Sequence, residues 1–102
     1  MDGGLTVLIV DGEERSRTQL LLALRRLGIR ALGVTGVVDA AALLEALDAD
    51  ITLVRGEDDD FALAPLRARS VVLNVERGAP LDETVVTLLR ALGRPEEAAS
   101  LN

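Results

Sequence analysis

The clearest indication of the fold comes near the start of the chain, in the stretch Leu5-Thr6-Val7-Leu8-Ile9-Val10-Asp11-Gly12. Residues 5–10 form a nearly continuous apolar, β-branched run, and Asp11-Gly12 ends it. A strand that does not alternate apolar and polar residues is buried on both faces, which is typical of parallel sheets. The sequence therefore predicts that this strand belongs to a parallel sheet.

Helical and strand patterns alternate along the rest of the chain. Helices are predicted over residues 16–27, 39–47, 61–69 and 82–92, and further strands over 30–34, 50–54 and 71–75. Pro65 is expected in the first turn of its helix, where a missing N–H is tolerated. Asp82 is expected to cap the last helix. The order βαβαβαβα predicts a parallel sheet of about four strands with right-handed crossovers and helices on both faces.

The composition excludes most catalytic chemistry. The 102 residues include no His, no Cys and no Lys. There is thus no disulfide, thiolate nucleophile or Cys-held zinc, no imidazole base, and no Schiff-base or phosphate-binding lysine. Only carboxylates remain for acid–base chemistry. We therefore expect neither an enzyme nor a protein with a metal or cofactor.

Size and charge limit the setting in which the protein works. We expect one domain over residues 1–93 and a polar tail or linker over 94–102. The net charge of −6 argues against a nucleic-acid partner. No apolar run approaches the ~20 residues that span a bilayer, and the first residues lack a signal-peptide pattern. The expectation is a cytoplasmic protein without a membrane contact.

Short motifs follow one another in the first half of the chain. Residues 8–14 read Leu8-Ile9-Val10-Asp11-Gly12-Glu13-Glu14, and Arg17, a leucine-rich helix and Gly28 follow. This succession resembles the opening of bacterial response-regulator receiver domains, where the family has (I/V)LIVDDE. A weaker similarity continues to about residue 92, in a chain shorter than the family by about one βα unit. The resemblance implies a three-layer, flavodoxin-like α/β fold. The last helix matches either the fourth or the fifth helix of the family, and the proline before it favours the fifth.

The same resemblance implies where a phosphorylation site would lie, and the chain departs from the family there. Arg55 stands in place of the phosphorylated aspartate at the end of the third strand. Asp11 and Gly12 stand in place of the two acids that hold Mg²⁺, and Asn74 replaces the Ser or Thr that ends the fourth strand. The family's phosphate-binding lysine has no counterpart. The chain thus resembles a degenerate pseudo-receiver. Arg55 is expected to form an ion pair with Asp11, in place of metal and phosphate, or with the acidic run 57–60.

Several residues keep a structural interpretation beside the functional one. Asp11 is either the remnant of a ligand pocket or a cap for the helix that follows. The acidic run 57–60 is expected to be a solvated loop, because it lacks the alternating spacing of a calcium loop. One apolar stripe is predicted as a core face and is also the candidate interaction surface of the shortened domain: Leu81, Val85, Leu88 and Leu92.

The sequence is compatible with two functions. The first is a protein–protein interaction module, acting as a homodimer or docked to another signalling protein or output domain, in bacterial two-component signalling or transcription regulation. Loss of a βα unit exposes a sheet edge, and exposed edges are commonly covered by pairing. The alternative is a sensor in which Asp11, Arg55 and Asn74 converge on a nucleotide or anion at the carboxyl ends of the strands.

Overall fold

The computed structural model describes residues 5–94, and the predicted alternation of strands and helices is confirmed over this range. The strands are β1 (Thr6–Asp11), β2 (Arg30–Val34), β3 (Ile51–Arg55) and β4 (Val71–Val75). The helices are α1 (Glu14–Arg26), α2 (Val37–Ala46), α3 (Asp60–Arg67) and α4 (Leu81–Ala91). Of the predicted tail, residues 95–102 lie outside the described range. Arg94, the last described residue, donates a hydrogen bond from Nη2 to the carbonyl oxygen of Leu27 at 2.9 Å.

The four strands form one parallel sheet in the order β2-β1-β3-β4, which is a flavodoxin-like topology. All six residues of β1 are buried, as its unbroken apolar run predicts. Val7 lies opposite Ala31 of β2 and Ile51 of β3. At the carboxyl end of the sheet, Asp11 of β1 lies opposite Arg55 of β3. This register brings two charged residues side by side at the edge where open α/β sheets bind ligands.

Two apolar cores separate the sheet from its helices, so the domain has three layers. Alternate residues of β1 point to opposite faces: Val7 and Ile9 belong to one core, and Leu8 and Val10 to the other. The first core is closed by α1 and α4, chiefly through Leu20, Leu24, Val85, Leu88 and Leu89. The second is closed by α2 and α3, chiefly through Ala40, Leu44, Leu63 and Leu66.

The apolar stripe of α4 is a core face, which corrects its assignment as an interaction surface. Val85 is 6% exposed and Leu88 is 0% exposed. Leu81 and Leu92 are half-buried and pack against the same core. The helix turns this stripe towards the sheet and α1, because only there can it bury its aliphatic side chains. In this fold Val85 and Leu88 therefore offer no surface to a partner.

Two helix starts differ from the sequence-based expectation. Pro65 is the sixth residue of α3, beyond the first turn, because the helix already begins at Asp60. The Asp59 carboxylate sets that start by accepting the N–H of Ala62 at 2.8 Å. Asp82 is not the cap of α4, which begins at Leu81 after Pro80. The Asp82 carboxylate instead accepts the N–H of the next residue, Glu83, at 3.0 Å.

Gly28 ends α1 in a left-handed conformation, with φ of 77°. The N–H of Ile29 donates to the carbonyl oxygen of Leu24, and the N–H of Gly28 to that of Arg25, both at 3.0 Å. We expect Gly28→Ala to lower the free energy of unfolding by about 1 kcal/mol, because a Cβ is disfavoured at this φ. Urea denaturation measures the loss, and Gly78→Ala, at a position without positive φ, is the control. Equal stability of the two variants would contradict the prediction.

Candidate functional site

A buried ion pair lies at the carboxyl ends of the two central strands. Arg55 Nε is 3.4 Å from Asp11 Oδ2, and the two side chains are 4% and 2% exposed. The predicted Arg55–Asp11 ion pair is therefore present. The parallel register causes it, because residues opposite each other in β1 and β3 point to the same face of the sheet.

The Asp11 carboxylate has partners on both oxygens. Oδ1 accepts the N–H of Glu13 at 2.9 Å, and Oδ2 accepts the hydroxyl of Ser16 in a short hydrogen bond. The carbonyl oxygen of Asp11 accepts Arg17 Nη1 at 2.8 Å. Asp11 therefore bonds to the turn that leads into α1, although Glu13 is the N-cap residue of that helix and has no side-chain cap bond, and Asp11 also neutralises Arg55.

These residues do not fit the Mg²⁺ that a receiver-like site would hold. Mg²⁺ needs a near-octahedral oxygen shell with one or two carboxylates and, in such sites, phosphate oxygens. Here the oxygens of Asp11 are already bonded, Gly12 offers no side chain, and the neighbouring group is a guanidinium. Among residues 5–94 no group of three or more His, Cys, Asp or Glu side chains could hold a metal ion.

Arg55 also forms hydrogen bonds with the loop that leads into α4. Its Nη1 donates to the carbonyl oxygen of Ala79 at 3.2 Å and lies 3.4 Å from Thr84 Oγ1. Its Nη2 donates to the carbonyl oxygen of Arg77 in a short hydrogen bond. Thr84 in turn donates from Oγ1 to the carbonyl oxygen of Pro80 at 3.0 Å. One guanidinium therefore links β3, β1 and the start of α4.

The Nε atom of Arg55 differs from the other guanidinium nitrogens. It is buried and has no hydrogen-bond partner in the described part of the chain, so Asp11 stabilises it by charge and not by an aligned hydrogen bond. The contacts of the guanidinium with backbone carbonyls were not foreseen from the sequence. Every residue has a backbone carbonyl acceptor, so the residue types in the sequence do not indicate which carbonyl groups Arg55 will contact.

Asn74 does not join the pair, so the predicted convergence of three side chains is wrong for this residue. The register pairs Arg55 with Val75, and Asn74 with Val54. Successive residues of a strand point to opposite faces, so Asn74 lies on the side of α2 and α3. Its Nδ2 lies 3.5 Å from the carbonyl oxygen of Asp58, which is a long contact at the protein surface. A shift of one residue in the register of β4 would place the Asn74 side chain on the opposite face of the sheet.

A cleft of about 280 Å³ opens beside the ion pair at the carboxyl ends of β1, β2 and β3. Three glycines leave space along its wall: Gly12, Gly36 and Gly56. Arg55 and Arg77 contribute positive charge to its lining, and Glu57 and Asp58 contribute negative charge. The lining is thus mixed in sign, and Asp11 already neutralises one of its two cations.

The acidic run 57–60 is exposed, as the sequence predicts for a solvated loop. Two of its carboxylates have local structural roles. Asp59 caps α3, and Asp60 forms an exposed ion pair with Arg67 at 2.9 Å. Neither arrangement resembles a calcium loop, in which carboxylates from alternating positions point to one centre.

No protein-family model matches the chain, and a search of the curated proteins returns no match. The described helices include none that is long and apolar enough to cross a membrane. The geometry itself defines a four-stranded parallel α/β domain of flavodoxin-like topology, whose central strands end in a buried Asp–Arg pair.

Proposed function

We propose that the protein is a phosphorylation-independent, receiver-like module that works by binding protein, as a homodimer or docked to another bacterial signalling or transcription-regulating protein. One observation supports this most: the buried Asp11–Arg55 pair at the strand ends. Where the resemblance would place a phosphorylated carboxylate, β3 ends in a guanidinium. A guanidinium has no carboxylate oxygen that could accept a phosphoryl group, so Arg55 cannot be phosphorylated in the way that an aspartate is. What then remains for function is the surface of the domain.

The contacts of Arg55 support a constant binding surface. A guanidinium stays protonated at every physiological pH. Its bonds to the carbonyl oxygens of Arg77 and Ala79 hold the loop before α4 in one position. A phosphorylated switch changes charge to move such a loop, whereas here the charge is permanent. The module is therefore proposed to be always in its binding-competent state.

Phosphorylation independence is tested with a small acyl phosphate and Mg²⁺. We expect the intact mass of the protein to gain no phosphoryl group, and its molar mass in solution, measured by light scattering, to stay the same. A receiver domain that retains its aspartate is the positive control for the reagent. A phosphorylated carboxylate at the strand ends, or an assembly state that changes on treatment, would overturn the proposal.

A small-anion or nucleotide sensor is the second candidate, and the cleft beside the pair favours it. Arg77, which lines this cleft, is its best candidate for contacting a phosphate. The test is thermal unfolding with inorganic phosphate and a panel of nucleotides, because a ligand at 100 times its dissociation constant stabilises by about 2.7 kcal/mol. A shift that Arg77→Ala abolishes would support the sensor. If no compound shifts the unfolding temperature, the sensor is excluded and the interaction module is the function that stands.

A further inference from the structure

We infer that the partner is a second copy of this chain, and that the two copies pair antiparallel along the free edge of β4. The two sheets then join into one continuous sheet, and a two-fold axis at Leu73 relates the two copies. This inference rests on the proposed function and names its partner and its surface.

The peptide groups of β4 alternate between β3 and the free edge. Val71 donates its N–H to the carbonyl oxygen of Asp50 at 3.4 Å, and the carbonyl oxygen of Val75 accepts the N–H of Gly56 at 3.1 Å. Odd-numbered residues of β4 therefore bond to β3. By the alternation of a parallel ladder, the N–H and C=O groups of Val72 and Asn74 point away from the sheet. No further strand lies beyond β4 within residues 5–94.

The edge of β4 lacks the features that normally prevent pairing. Edge strands are usually protected by charged residues, proline or a bulge. Residues 71–75 are Val-Val-Leu-Asn-Val and contain neither charge nor proline, and their register with β3 runs without a bulge. Val71 leaves 61% of its surface exposed. At the opposite edge of the sheet, β2 begins with the exposed, charged Arg30.

The β4 edge matches itself when it is turned through a two-fold axis. With Leu73 opposite Leu73 of the second copy, Val71 lies opposite Val75 of that copy and Val72 lies opposite Asn74 of that copy. Val72 and Asn74, whose peptide groups point outward, thus lie opposite each other. Two residues in this position can exchange both N–H···O=C bonds of an antiparallel hydrogen-bonded pair. Apolar residues meet on the face of α1 and α4, and such cross-strand pairs stabilise a sheet. A two-fold contact also closes, and so gives a dimer instead of a filament.

Two edge variants and one control test the pairing by light scattering over roughly 1 μM to 1 mM protein. Val71→Lys places a charge at the proposed contact from an exposed position. Asn74→Pro removes an outward N–H, while the bonds from β4 to β3 use other residues. Val38→Lys is the matched control, because Val38 lies on α2 and is 84% exposed. We expect the wild type and Val38→Lys to dimerise, and both edge variants to raise the dissociation constant by about tenfold or more.

Hydrogen exchange of single amides identifies the edge directly. We expect the Val72 and Asn74 amides to exchange more slowly as protein concentration rises, because they bond to the second copy. The Leu73 and Val75 amides bond to β3 in either state and should not respond to concentration. A folded monomer at every concentration would overturn this inference. So would a dimer that both edge variants leave intact, although that result would keep the interaction module and move its contact elsewhere.

Discussion

Replacing Asp11 with Asn is expected to lower the free energy of unfolding by about 3–5 kcal/mol, the usual cost of removing one partner of a buried ion pair. The guanidinium of Arg55 stays charged and buried, and its Nε, which has no hydrogen-bond partner among residues 5–94, loses the carboxylate 3.4 Å away. The NH₂ group of the new amide replaces either Oδ1, which accepts the N–H of Glu13, or Oδ2, which faces the Ser16 hydroxyl and the guanidinium, so one acceptor is lost in either orientation. Urea denaturation followed by circular dichroism measures the loss.

Two further variants separate this effect from a general sensitivity to substitution. Asp60→Asn disrupts an exposed pair and should change stability very little, because solvent screens such pairs. Adding Arg55→Met to Asp11→Asn removes the uncompensated cation, so the double variant should lose less than the two single losses combined. If Asp11→Asn proves no more damaging than Asp60→Asn, the buried pair does not stabilise the fold.

Leu88→Ala is the second change with a large expected effect, a loss of about 2–5 kcal/mol in the free energy of unfolding. Leu88 is fully buried in the core that α1 and α4 form with the sheet. Truncation leaves a cavity in this core, and the loss depends on how far the surrounding side chains can collapse into it. Thermal or urea unfolding measures the loss, with the oligomeric state recorded on the same samples.

Leu22→Ala is the matched control for this prediction. Leu22 lies on α1 and is 47% exposed, so the same truncation there should cost clearly less. The comparison also separates the two interpretations of the α4 stripe. A Leu88→Ala variant with unchanged stability but weaker association would restore the stripe as an interaction surface.

The strands were predictable because their signal is local. The nearly continuous apolar run of β1 indicates burial on both faces, and the structure buries every residue of that strand. Helix starts were less predictable, because a cap depends on which side chain reaches a free N–H. Asp59 reaches one and Asp82 does not cap its helix, although both precede apolar helical patterns.

The candidate site was half predictable. The Asp11–Arg55 pair was an expectation from the resemblance, at the positions where the family holds metal and phosphate, and the structure contains it. Asn74 was misplaced because strand alternation assigns a face only when the register is known to the residue. The carbonyl oxygens of Arg77 and Ala79 were not foreseen, since they lie more than twenty residues after Arg55 in a loop without a recognisable motif.

The Asp11–Arg55 pair has a consequence for how this chain can evolve. A single change of Arg55 to Asp would place two buried carboxylates side by side and release the loop before α4, since Arg55 bonds its carbonyl oxygens. Like charges at such a site disfavour ionisation of both groups. Replacing either residue of the pair alone therefore destabilises the protein. The two positions are evolutionarily coupled, because a tolerated change at one strand end requires a compensating change at the other.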